Sequence, residues 1–119
     1  MHLPTASTLA ADGKCPIVID VRSQIEWDAG HAPCAHRLEI QNDPTLVTKV
    51  VALAKGDQKH PVQVYCRSGF RAGKAQKILE ALGWSAVSNA GGWESGQADA
   101  IKKLCDCKTG GTGQAISTL

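Results

Sequence analysis

Two periods alternate along the chain. Ile17 to Val21 and Val62 to Tyr65 are short runs rich in β-branched and aromatic residues, which read as buried strands. Between and after them, apolar positions recur every three or four residues. Leu46, Val47, Val50, Val51, Leu53 and Ala54 predict a core-packed helix that starts at Asp43-Pro44 and stops at Gly56. Ala72, Ala75, Ile78, Leu79 and Leu82 predict another, ended by Gly83. Shorter elements fill the gaps. Ser23 and Glu26 have capping-box spacing for a short helix that Gly30 ends. Leu38 to Ile40 and Ala86 to Ser88 read as short strands. Asn89-Ala90-Gly91-Gly92 reads as a tight turn near the 66–71 loop, and Trp93 to Leu104 as a last helix weakened by Gly96. Residues 1 to 14 are weakly patterned, with one helical turn expected over Thr8 to Ala11. Strands alternating with helices predict an α/β domain on a central parallel sheet. The boundaries read 1–14 for an N-terminal segment, 15–105 for the domain and 106–119 for a flexible tail rich in glycine and threonine.

Composition narrows the function. The chain has 119 residues, enough for one domain with a modest core. A net charge of +2 argues against a nucleic-acid partner. No run reaches the length of a membrane span, and Met1-His-Leu-Pro opens no signal peptide. The expectation is a cytoplasmic monomer, or a periplasmic one if a leader has been removed. Five cysteines are an odd number and show no framework spacing. Cys34 reads as a small buried residue or as one near enough to Cys66 to matter; Cys105 and Cys107 lie where the domain gives way to a mobile tail, as inert residues or as thiols able to reach Cys66. The four histidines form no metal-ligand cluster, so no metal and no cofactor are expected, and His31 reads as structural.

The chemistry concentrates at Cys66. It ends a strand, and Arg67-Ser68-Gly69-Phe70-Arg71 leads into the first turn of a helix. Helix N-termini carry unpaired N–H groups and favour anions, and such surroundings favour a thiolate over a thiol. Arg67 and Arg71 add positive charge on the same loop, and Lys74 and Lys77 follow. A buried inert cysteine fits this polar, basic, glycine-containing setting poorly. Asp20 and Arg22, at the end of the first strand, read as a pair that supports loops at the sheet's C-terminal edge.

The loop Cys66-Arg-Ser-Gly-Phe-Arg71, with Ile19-Asp-Val-Arg22, Glu26-Trp-Asp-Ala-Gly-His31 and Asn89-Ala-Gly-Gly-Trp93, resembles the rhodanese family in residue type and in order. The likeness runs from about Ile17 to Trp93 and is to the small single-domain, phage-shock-type members. It implies a rhodanese-like parallel sheet flanked by helices, with the family's first strand short or missing. It also implies a sulfurtransferase. Cys66 would carry a sulfane sulfur as a persulfide, and residues 67 to 71 would cradle a small anionic donor. Cyanide or a thiol, including a protein thiol, would accept the sulfur. Where Cys34 stands the family usually has glycine. Two alternatives remain: a sulfur-carrying or docking module without turnover, and a cysteine phosphatase or arsenate reductase.

Overall fold

The computed structural model describes residues 14–40 and 45–107. Four parallel strands, β1 (Ile17–Asp20), β2 (His36–Arg37), β3 (Val62–Cys66) and β4 (Val87–Gly92), form one sheet in the order β2-β1-β3-β4. The helices are α1 (Gln24–Asp28), α2 (Leu46–Ala54), α3 (Phe70–Ala81) and α4 (Ala98–Lys103). Short 3-10 turns follow β4 at Trp93–Ser95 and α4 at Leu104–Asp106. The fold is α/β, as the alternating pattern predicts.

Strand alternation sorts the core into two clusters. Ile19, Val21, Val62, Val64 and Cys66 face α2 and α3, packing on Leu46, Val50, Ala54, Ala72, Ala75 and Leu79. Val18 and Tyr65 face the other way, onto Ala32, Ile101 and Leu104. The Cys66 side chain therefore points to the α3 side of the sheet, beneath the start of that helix.

Several elements differ from the sequence reading. The edge strand is His36–Arg37, not Leu38 to Ile40; Leu38 continues from it as a buried residue whose N–H donates to the Asp20 carbonyl. The 89–92 turn is part of β4. A bulge there lets Asn89 face Val64 and Gly91 face Tyr65, with Ala90 the extra residue. Trp93 to Leu104 is not one helix, because Gly96 adopts φ 87° and separates the 3-10 turn from α4. On α3, Ala72, Ala75 and Leu79 are buried as expected, but Ile78 and Leu82, which caps the C-terminal end of α3, are exposed. Val51 on α2 is likewise exposed. The expected turn over Thr8 to Ala11, the Asp43-Pro44 start of α2 and the tail from 108 onward lie outside the described residues.

The cysteines require the largest correction. Cys15 is joined to Cys107 and Cys34 to Cys105, leaving Cys66 as the free cysteine. Cys34 is exposed and disulfide-bonded rather than a small buried residue. Cys105, Asp106 and Cys107 are fixed to the domain rather than part of a loose tail. Sequence spacing could not reveal this, because the partners are 92 and 71 residues apart and meet only after the sheet has formed. Both bridges pin the segment after α4, which supplies Leu104 to the second core cluster.

The unreduced, denatured protein should titrate as one thiol and the reduced protein as five. Removing a disulfide that closes a long loop typically costs about 2–5 kcal/mol. Cys15→Ser/Cys107→Ser and Cys34→Ser/Cys105→Ser should therefore each lower the melting temperature, and the quadruple variant should fall short of their sum because one loop lies inside the other. Five thiols before reduction, or unchanged melting in both pairs, would show that the bridges do not form.

Candidate active site

Cys66 is the last residue of β3 and is 1 % exposed. The backbone N–H groups of Gly69 and Ala72 donate to its Sγ at 3.0 and 3.3 Å. Gly69 reaches this position through φ 103°, a conformation costly for residues with a side chain, and it is the N-cap of α3. The thiol thus sits against a helix N-terminus with two donors aimed at it, an arrangement that stabilises a negatively charged sulfur. The N–H groups of Ser68, Phe70 and Arg71 have no acceptor among the described residues.

The loop is tied to its surroundings at several points. The Arg67 carbonyl accepts from the Glu94 N–H at 3.1 Å and the Ser95 hydroxyl at 3.3 Å. The Gly69 carbonyl accepts from Asn89 Nδ2 at 2.9 Å. Gly92 packs directly against the loop; a Cβ there would collide with the Arg67 carbonyl oxygen and Ser68 Cα. The glycines after Asn89 therefore let β4 approach the loop closely, as the sequence suggested, although from within a strand.

Arg71 stands at the loop's end, but its forked end is already engaged. Nη1 and Nη2 donate to Glu26 Oε1 and Oε2 at 2.9 and 2.8 Å. Glu26 also completes the capping box of α1, accepting from the Ser23 N–H while its own N–H donates to Ser23 Oγ. Arg71 thus forms a bidentate clamp between α1 and the loop, besides its place among residues 67 to 71. The guanidinium hydrogen bonds hold the Glu26 carboxyl well down, at about 2, and the same contact raises Arg71. Arg67, Ser68 and Phe70 are exposed at the mouth.

Asp20 and Arg22 are completely buried and bonded to each other. Arg22 Nε and Nη2 donate to the Asp20 carboxylate at 2.7–3.0 Å, Nη2 also to the Gly30 carbonyl at 2.7 Å, and Nη1 to Glu94 at 2.9 Å. Burial works against the Arg22 charge, but these carboxylate contacts outweigh it and raise its pKa. The pair reaches the active loop indirectly, since Glu94 holds Arg22 by its side chain and Arg67 by its backbone. His31 stacks on Trp27 with ring centroids 3.5 Å apart and bonds to the Trp27 carbonyl, so it belongs to the α1 turn. Among the described residues no three His, Cys, Asp or Glu side chains gather as a metal site. No helix there is long and apolar enough to cross a membrane. Sequence reasoning missed Glu94, Asn89 and the second role of Glu26. Glu26 was already explained by its cap, and its arginine is 45 residues away.

A family model for the rhodanese-like domain matches residues 5–99. The chain belongs to the rhodanese family. It is 34 % identical over 74 residues to the thiosulfate sulfurtransferase PspE of Escherichia coli (strain K12), covering 62 % of this chain and 67 % of that protein. It is 29 % identical over 79 residues to the thiosulfate:glutathione sulfurtransferase of Saccharomyces cerevisiae (strain S288c), covering 60 % of this chain and 57 % of the yeast protein. This match therefore spans little more than half of the yeast relative. Among solved structures, a rhodanese with anions from E. coli superposes with a TM-score of 0.55 at 32 % identity, over 65 % of this chain and 86 % of that one. Rhodanese membership places the chain in a sulfurtransferase family.

The clamp gives a pH dependence. An unfolded glutamate protonates near 4.5, the folded Glu26 near 2. Between those values the unfolded chain binds more protons, so stability rises with pH. The Glu26 contribution is complete above about 4.5 and is lost as pH falls through about 2. Urea midpoints across this range should drop more steeply for the native protein than for Glu26→Gln. Parallel curves would mean that the clamp does not hold in solution.

Proposed function

We propose that the protein is a thiosulfate sulfurtransferase that carries the sulfane sulfur on Cys66. The observation that carries this reading is a lone free thiol at the end of β3 with two backbone N–H groups on its sulfur. The Cys66 thiolate attacks the outer sulfur of thiosulfate, a new S–S bond forms, the donor's S–S bond breaks, and sulfite leaves. Cyanide or a thiol then attacks the outer sulfur of the persulfide, and the Cys66 thiolate is the leaving group. The open N–H groups of Ser68, Phe70 and Arg71 and the exposed Arg67 side chain are the groups available to a sulfonate. Arg71, held by Glu26, positions the loop. Asp20 and Arg22 support it through Glu94. The names of the E. coli and yeast relatives support thiosulfate as donor, and the yeast name supports a thiol as acceptor.

Cys105 and Cys107 cannot discharge the persulfide while both are bridged, so sulfur leaves only to an external acceptor. The two bridges also favour an oxidising compartment over the cytoplasm. The shared strand–cysteine–loop–helix arrangement keeps a cysteine phosphatase as the competing reading. Loop length favours sulfur transfer, because four residues separate Cys66 from Arg71. The phosphatase loop has one more, and the larger ring of N–H donors suits a tetrahedral phosphate.

A paired assay tests the proposal. Thiosulfate should add about 32 mass units at Cys66, cyanide should release thiocyanate, and Cys66→Ser should lose both. Aryl phosphate should be hydrolysed negligibly; efficient phosphate release without thiocyanate would overturn the assignment. Gly92→Ala should push the loop from its place. A displacement near 1 Å can cost roughly a hundredfold in rate, so thiocyanate formation should fall by about that factor while circular dichroism is retained. Unchanged turnover would show that β4 does not set the loop.

A further inference from the structure

The face of α3 that turns away from the sheet does not behave like an ordinary solvated helix. Phe70 is 71 % exposed, Ile78 42 % and Leu82 52 %. With Lys74 they stand four residues apart, so they form one slowly winding stripe from the active loop down the helix. Lys74 Nζ lies 5.0 Å from the centre of the Phe70 ring. Beside the loop on α1, Ile25 is 82 % exposed; it precedes Glu26, whose partner Arg71 follows Phe70. Phe70 on the loop and Ile25 next to its Glu26 clamp thus set large apolar side chains near the mouth above a thiol that is itself buried.

Charge gives this face a sign. Arg71 is neutralised by Glu26, but Arg67, Lys74 and Lys77 form no ion pair among the described residues. The only carboxylate on α3 is Glu80, bonded to Gln76. The stripe spans twelve residues' rise, about 18 Å. An extended tripeptide reaches at most about 11 Å, so a small thiol at Cys66 cannot touch the helix's far end. A second copy would bring like charges together.

We infer that this face of α3 docks a thiol-bearing polypeptide whose surface around the thiol is acidic and apolar. The inference rests on the sulfur-transfer reading and names its acceptor class. The docked thiolate attacks the outer sulfur of the Cys66 persulfide; that S–S bond breaks, Cys66 leaves as thiolate, and the acceptor departs as a persulfide with no net oxidation.

Two twelve-residue peptides with one central cysteine test it, one otherwise of glutamate and leucine, the other of lysine and serine. The loaded protein should transfer sulfur to the acidic, apolar peptide at least about tenfold faster at low salt. Lys77→Glu/Ile78→Gln/Leu82→Gln should bring the ratio near one while cyanide discharge is unchanged. Equal rates with both peptides, or a ratio that survives the triple change, would overturn the proposal. If thiosulfate loads no sulfur, the sulfur-transfer reading fails by itself, and docking is still decided by calorimetry with the cysteines replaced by serine. There the acidic, apolar peptide should bind the native protein and not the triple variant; no binding overturns docking. Phosphatidylserine vesicles are the third probe. Binding to them that the triple change abolishes, with equal peptide rates, would make the face a membrane contact and refute the polypeptide.

Discussion

Everything at the Cys66 site depends on how few residues separate a strand end from a helix start. Alternation along β3 turns Cys66 toward α3, and only Arg67, Ser68 and Gly69 intervene before that helix begins. The chain must therefore fold back over its own sulfur, and Gly69 supplies the positive φ that makes this feasible. The N–H groups of Gly69 and Ala72 then meet Sγ as a consequence of chain path. Because the backbone is already fixed, little reorganisation is needed when charge develops on the sulfur, which is where preorganised donors are most effective.

A loop this short would still be free to sway, and neighbours restrain it from three directions. Glu94 and Ser95 hold the Arg67 carbonyl, Asn89 holds the Gly69 carbonyl, and Glu26 holds Arg71. Behind these lies Arg22. A buried guanidinium is costly unless its donors are satisfied, and here they reach Asp20, Gly30 and Glu94 at once. That requirement brings β1, the end of α1 and the turn after β4 to one point. The charge network acts less as a source of net stability than as a specification of where three loops must meet.

The sequence carried the parts whose causes are local. β1, β3, the capping box of α1 and the buried half of α3 follow from short-range pattern, and Cys66 follows from its strand–loop–helix setting. The rest depends on partners distant in the chain. Ile78 and Leu82 match helical spacing as well as Leu79 does, and only the position of the sheet shows that they face solvent. The glycines after Asn89 look like a turn, because nothing local shows that they lie in β4 with the active loop against Gly92. Arg71 looks available for an anion until Glu26 arrives from another helix.

The cysteine pairing ties these features together. Any accessible thiol near a persulfide is a competing acceptor, able to release sulfide and form a disulfide. Four of the five cysteines are removed from that chemistry by pairing with one another. The fifth is almost completely buried beneath its loop, whose Arg67, Ser68 and Phe70 are exposed. In the proposed sulfur transfer, pairing would keep the protein's own thiols away from a Cys66 persulfide, and burial would slow its loss to indiscriminate ones. On the same proposal, burial would make an acceptor's contacts at the rim decide whether its thiol reaches Cys66. Selectivity would then rest on the exposed residues around the loop, and reactivity on the backbone N–H groups that meet Sγ beneath it.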